Sequence, residues 1–177
     1  MANYDLDLIR DYLQRSDSAA TTDAKGEIFE DLVIYLFTQC SGVSFADRNI
    51  LDNTGAREFD VALRNRSTSE FDFLDSLIIC ECKNEVGPIG SNQVRDFHTK
   101  LRTSGASNGL IIASRGISGQ IQGNNRFATT AIVDAMVMDK IKILVITRED
   151  ILSLVTTEDL EELIWQRFST LSLKRRM

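Results

Sequence analysis

The chain has one proline, one histidine and three cysteines among 177 residues, and no apolar run approaches the ~20 residues needed to span a bilayer. The absence of a spanning segment predicts no membrane association. So little proline and only ten glycines give no sign of a collagen-like, low-complexity or disordered tract. Cys40, Cys80 and Cys82 are too few, and too apolar in setting, for a disulfide framework. Cys80-Glu81-Cys82 could be read as part of a soft-metal site. Zinc takes about four nitrogen or sulfur ligands, however, and only Cys40 and His98 remain to complete the set. The first residues, Met1 to Asp5, lack the basic-then-apolar order of a secretory signal, so a cytoplasmic location is expected. An excess of positive charge is also missing. The net charge of −6 argues against a free-standing, tight nucleic-acid binder. It does not exclude a site whose carboxylates hold cations, because bound cations reverse the local sign. Affinity for a polyanion would then come from a local basic strip, a dimer or a partner subunit.

With 43% hydrophobic and 26% charged residues, the composition suits one compact domain over residues 1–177 with a substantial core. A short helix is expected over Asp5–Gln14. A second is expected from Asp23 to Cys40, where Ile28, Phe29, Leu32, Val33, Leu36, Phe37 and Cys40 form one broad apolar face. Val43–Ile50 reads as a strand and Asp52–Gly55 as a turn. Arg57–Leu63 alternates, which predicts Phe59, Val61 and Leu63 on one face and Glu58, Asp60 and Ala62 on the other. Leu77–Lys83 is apolar on both faces until its last residues, as in a central strand covered on both sides. Ser91 or Asn92 can cap a helix carrying Val94, Phe97 and Leu101, and Leu110–Ala113 is a second buried strand. Ile121–Met138 is expected to be helical, Ile141–Thr147 to be a strand, and Thr156–Asp159 to open a last helix with a capping box. This order predicts an α/β fold, a mixed central sheet with helices on both faces.

The end of the Leu77–Lys83 strand carries the chemistry. Side chains two apart on a strand share a face, so Glu81 and Lys83 project together while Cys80 and Cys82 point the other way. Two charges where a buried strand ends are costly unless paired or bound to a ligand. Asp60, on the preceding strand, can bring a second carboxylate to the same point. Paired carboxylates with nearby carbonyls suit a hard cation such as Mg²⁺. Such a cation can polarise a phosphodiester and acidify water, and a lysine beside it can orient that water or stabilise charge on phosphate oxygens. The alternative for Glu81 and Lys83 is a plain ion pair at a strand end.

Asp60 followed by Glu81-Cys82-Lys83 resembles the PD-(D/E)XK signature of restriction and repair nucleases, and most nearly the Mrr-like restriction endonucleases. The helix before the sheet is similar too, reading Gly26-Glu27-Ile28-Phe29-Glu30, and the likeness extends through Asn108–Gly116, covering roughly residues 23 to 150. Phe59 stands where the name-giving proline would be. The resemblance implies a restriction-endonuclease-like core, one or two Mg²⁺ ions (or Mn²⁺) and nucleic-acid substrates, with DNA favoured over RNA. Asp60, Glu81 and the backbone carbonyl of Cys82 would be the metal ligands, and Lys83 would orient the attacking water. At 100° per residue Glu30 borders the apolar face of its helix, making it an auxiliary ligand to metal or water, or else a surface glutamate. On the following helix Gln93 and Lys100 lie on one flank, next to Phe97; the family often has a polar residue there that faces the site, which nominates Gln93. His98 lies beside the Val94–Leu101 stripe and is expected to be structural. Arg57, Arg115 and Ser114 are candidate nucleic-acid contacts, the last two because they follow a buried strand. No separate DNA-reading unit is recognisable, so a targeting partner subunit, or a homodimer with two active sites, would complete the function. A non-catalytic module of the same fold, acting with a partner, is the alternative, and an RNase is not distinguished.

Overall fold

A computed structural model describes residues 2–51, 55, 58–119 and 128–173. Helix α1 (Leu6–Ser18) starts where the Asp5 carboxylate accepts the N–H groups of Asp7 and Leu8, and buries Ile9 and Leu13. Helix α2 (Thr22–Thr38) is capped by the Thr21 hydroxyl and buries Phe29, Leu32, Val33, Leu36 and Phe37. It ends just before Cys40, whose N–H bonds to the carbonyl of Phe37. Gly42 then turns the chain with φ +79°, and an added Cβ would lie 2.8 Å from Ser69, so both conformation and space demand glycine.

Five strands form one sheet in chain order: β1 (Val43–Leu51), β2 (Glu58–Asn65), β3 (Leu77–Lys83), β4 (Asn108–Ala113) and β5 (Lys142–Thr147). The pairs β1–β2 and β2–β3 are antiparallel, and β3–β4 and β4–β5 are parallel. Parallel neighbours need crossovers, supplied by α3 (Ser91–Ser104) and by the segment containing α4 (Ala128–Asp139). After β5 come α5 (Arg148–Ser153), a short helix that no apolar periodicity announces, and α6 (Thr157–Leu173). Helix α6 opens as expected: the Asp159 carboxylate accepts the Thr156 N–H while the Thr156 hydroxyl accepts that of Asp159.

Two apolar cores result, one on each face of the sheet. The first joins α1, α2 and α6 to Val61, Leu63, Ile78, Cys80 and Cys82. The second joins α3 and α4 to Phe59, Ile79, Ile111 and Ile143. The mixed sheet with helices on both faces is therefore the expected restriction-endonuclease-like architecture. Three local expectations need correction or restriction. Phe59 does not share a face with Val61 and Leu63, since it packs in the second core and they pack in the first. Helix α3 begins at Ser91 with Gly90, not Ser91 or Asn92, as its cap residue. The expected Ile121–Met138 helix is described from Ala128 onward; residues 121–127, like Arg57, residues 52–54 and the basic tail 174–176, lie outside the described residues.

Candidate active site

The β2–β3 ladder runs from Arg64 opposite Leu77 to Val61 opposite Cys80, and stops. At that level Phe59 has crossed to the other face, and in β1 Asn49, lying between the partners of Val61 and Phe59, has φ +54°. The break in alternation at Asp60 frees its side chain from the pleat. Its Oδ2 accepts the Cys82 N–H at 2.7 Å, taking the donor that the ended ladder leaves open.

Glu81 and Lys83 project from β3 on the same side, as their spacing requires. The Lys83 Nζ lies 2.9 Å from Glu81 Oε1 and 3.2 Å from Asp60 Oδ2. One ammonium thus stands between two carboxylates contributed by adjacent strands. Burial works against that ammonium, but the Glu81 and Asp60 carboxylates outweigh it and raise its pKa above the ordinary lysine value. The second oxygen of Glu81 is not open. Oε2 accepts from Lys100 Nζ of α3 at 2.8 Å, and both residues are buried, each 8% exposed.

Glu30 reaches the site from α2. Burial first, and the negative Asp60 second, push its pKa up to about 7 against the pull of Arg48 and Lys83. Its Oε2 is buried without a hydrogen bond. Arg48 Nη1 is 3.9 Å away, while the other end of that guanidinium is engaged by Asp31 at 2.6 Å. Glu30, Asp60 and Lys83 line a cleft of about 550 Å³, walled also by Glu27, Asn49 and Glu58. Cys80 and Cys82 turn into the first core, where burial pushes both thiols up in pKa; they present no thiolate for a soft metal.

The remaining candidates lie around this cluster. Gln93 caps its own helix, its Oε1 accepting the Gly90 N–H at 2.9 Å, while its Nε2 donates to Glu85, a residue of the cleft wall. Ser114 is buried, its N–H bonded to the Lys83 carbonyl and its hydroxyl to that of Glu85. Arg115 is exposed and borders a smaller hollow with Lys25, Asn84, Glu85 and Arg148, adjoining the cleft. His98 Nε2 is buried 2.8 Å from Asp139 Oδ2, where α3 faces α4, in a geometry that makes no hydrogen bond. Lys100, which the sequence places on the flank of α3 shared with Gln93, is the residue to which it assigns no role. Its position one residue before Leu101 and three after Phe97 puts it at the edge of the buried stripe of α3, and that adjacency was the available signal.

The oxygen-only donor set, and the Glu30 oxygen that lacks a donor, fit a hard divalent cation. Among the described residues no three His, Cys, Asp or Glu side chains converge as a ready-made cage. The Lys83 ammonium occupies the point where two of the carboxylates meet. The restriction endonuclease family Mrr_cat matches residues 22–155, three quarters of the chain.

The chain belongs to this family. The Mrr-type match spans α2 through β5 and so includes every residue of the cluster just described. No curated protein and no solved structure matches the chain. The family is one of nucleases, and no helix among the described residues is long and apolar enough to cross a membrane.

Proposed function

We propose that this protein is a Mg²⁺- or Mn²⁺-dependent endonuclease that hydrolyses phosphodiester bonds in DNA. The observation that carries the reading is the Lys83 ammonium held between Asp60 and Glu81 at the end of β3, beside Glu30 in one cleft. Asp60, Glu81 and the Cys82 carbonyl are the groups to hold the cation, which when bound supplies charge to polarise the phosphodiester and acidify water. Lys83 orients the attacking water and donates to phosphate oxygens as their charge grows. Glu30, with a pKa near 7, suits acceptance of the water proton close to neutral pH. The water oxygen bonds to phosphorus and the bond from phosphorus to the departing sugar oxygen breaks. Gln93 assists indirectly by fixing Glu85 on the cleft wall, and Ser114 by holding the loop after Lys83. Arg115, together with Arg57, is the candidate contact to flanking phosphates. Two copies, or a targeting partner subunit, would bring a second active site or sequence recognition, and the cytoplasm is the expected location.

Supercoiled plasmid with Mg²⁺ or Mn²⁺ tests the reading. Wild-type protein nicks or linearises it, and Glu81→Ala and Lys83→Ala each lower the rate on the order of 100-fold or more. Equal behaviour of wild type and both variants sinks the catalytic assignment and favours a non-catalytic module of the same fold.

A further inference from the structure

Lys100 has no part in the reaction described so far, yet it makes the shortest ion pair to Glu81, 2.8 Å to Oε2 against 2.9 Å from Lys83 to Oε1. A buried lysine with a buried carboxylate is an expensive arrangement that persists only when packing holds it. Packing does so here. Helix α3 lies so close on β4 that a Cβ on Gly109 would stand 2.7–2.8 Å from Leu101 and Phe97. Both of those side chains are fully buried and flank Lys100 on α3. A second carboxylate, Asp96, lies 3.7 Å away on the exposed side of the same helix. Lys100 is therefore seated by the body of the helix, whereas Lys83 sits at a strand end and lines the cleft.

The consequences for Glu81 are geometric and electrostatic. One of its oxygens is committed to Lys100, leaving Oε1, which Lys83 Nζ meets at 2.9 Å, as the oxygen turned toward the Lys83–Asp60 pair. A fixed positive charge thus stands on the opposite side of the Glu81 carboxylate from that pair. We infer that Lys100 is a positioning residue that limits Glu81 to one available oxygen and thereby sets the site to take a single divalent ion. This rests on the metal-dependent reading above and adds ion number and the residue that sets it.

The test is calorimetric titration of the full chain with Mn²⁺, without DNA, for wild type, Lys100→Met and Lys100→Arg. Wild type binds one ion. Lys100→Met removes a like charge a few ångströms from the ion and frees Oε2, so it binds Mn²⁺ about tenfold or more tightly, or takes up a second ion. Lys100→Arg restores the wild-type titration. If Lys100→Met does not fold, Lys100→Gln, which keeps a donor to Oε2 without the charge, shows the tighter binding instead. A variant lacking the charge that titrates like wild type, or a wild type that binds two ions, overturns the inference while plasmid cleavage by wild type still upholds the nuclease reading. A wild type that neither binds Mn²⁺ nor cuts plasmid overturns both.

Discussion

Glu30 illustrates how the place of a carboxyl group on a helix sets its hold on a proton. It stands at the border of an apolar helix face, where burial and Asp60 oppose its ionisation. The folded protein holds a proton there up to about pH 7, whereas the ordinary carboxyl value is 4.5. A group with a raised pKa adds stability that is fully present below 4.5 and lost as pH rises through about 7. Without divalent ions, wild type should therefore lose stability between pH 5 and 8 more steeply than Glu30→Gln, as read from denaturant midpoints at a series of pH values. Parallel profiles for the two proteins would remove Glu30 from this role. Sequence spacing anticipated that Glu81 and Lys83 project together, because period-2 geometry determines it, and strand order brought Asp60 near them. It placed Lys100 on the flank shared with Gln93 but could not assign it to Glu81, since whether a lysine at the edge of an apolar stripe points to solvent or across a sheet depends on how close the helix sits.

That closeness is a property of elements. Strands β3 and β4 read correctly from their apolar runs, and α2 from its periodicity, because long buried segments carry redundant signals. The break at Asp60 did not, since the sequence there alternates regularly and only the end of the β2–β3 ladder, with the bend in β1, turns Phe59 to the other face. Helix α5, six residues long, is too short to show a period. Gly109 is the element-scale device that seats α3. Its substitution by Ala puts a methyl against the tips of the buried Leu101 and Phe97 side chains, which must shift to admit it. Gly109→Ala should cost about 1–3 kcal/mol in urea unfolding, and it should alter Mn²⁺ binding in the direction of Lys100→Met because Lys100 is displaced with its helix. An unchanged midpoint would mean that the helix shifts without cost.

At the scale of the whole molecule, the charge balance sets how a polyanion is held. With 26 acidic against 20 basic side chains the surface as a whole repels phosphates, and among the described residues the hollow beside the cleft offers Lys25, Arg115 and Arg148, the last already paired with Asp17 at 2.8 Å. With two or three phosphate contacts, log Kobs for duplex DNA should fall against log salt with a slope of about −2 to −3. A slope near −6 or steeper would require a basic surface beyond this one or a second copy of the chain. Weak, salt-tolerant binding of this kind is what the proposed endonuclease would show if a partner subunit supplied its affinity for DNA.

The strand order β1 to β5, identical to the chain order, also dictates a timetable for assembly. Neighbours in an up-and-down ribbon meet by closing short loops, whereas each parallel partner waits for a whole crossover to wind back. Asp60 and Glu81 can thus be brought together while the parallel half is still unformed, with Lys83, two residues along β3 from Glu81, already between them. The α3 crossover then delivers Lys100 to the other oxygen of Glu81, so the two ammonium groups that hold this acid belong to different stages of assembly.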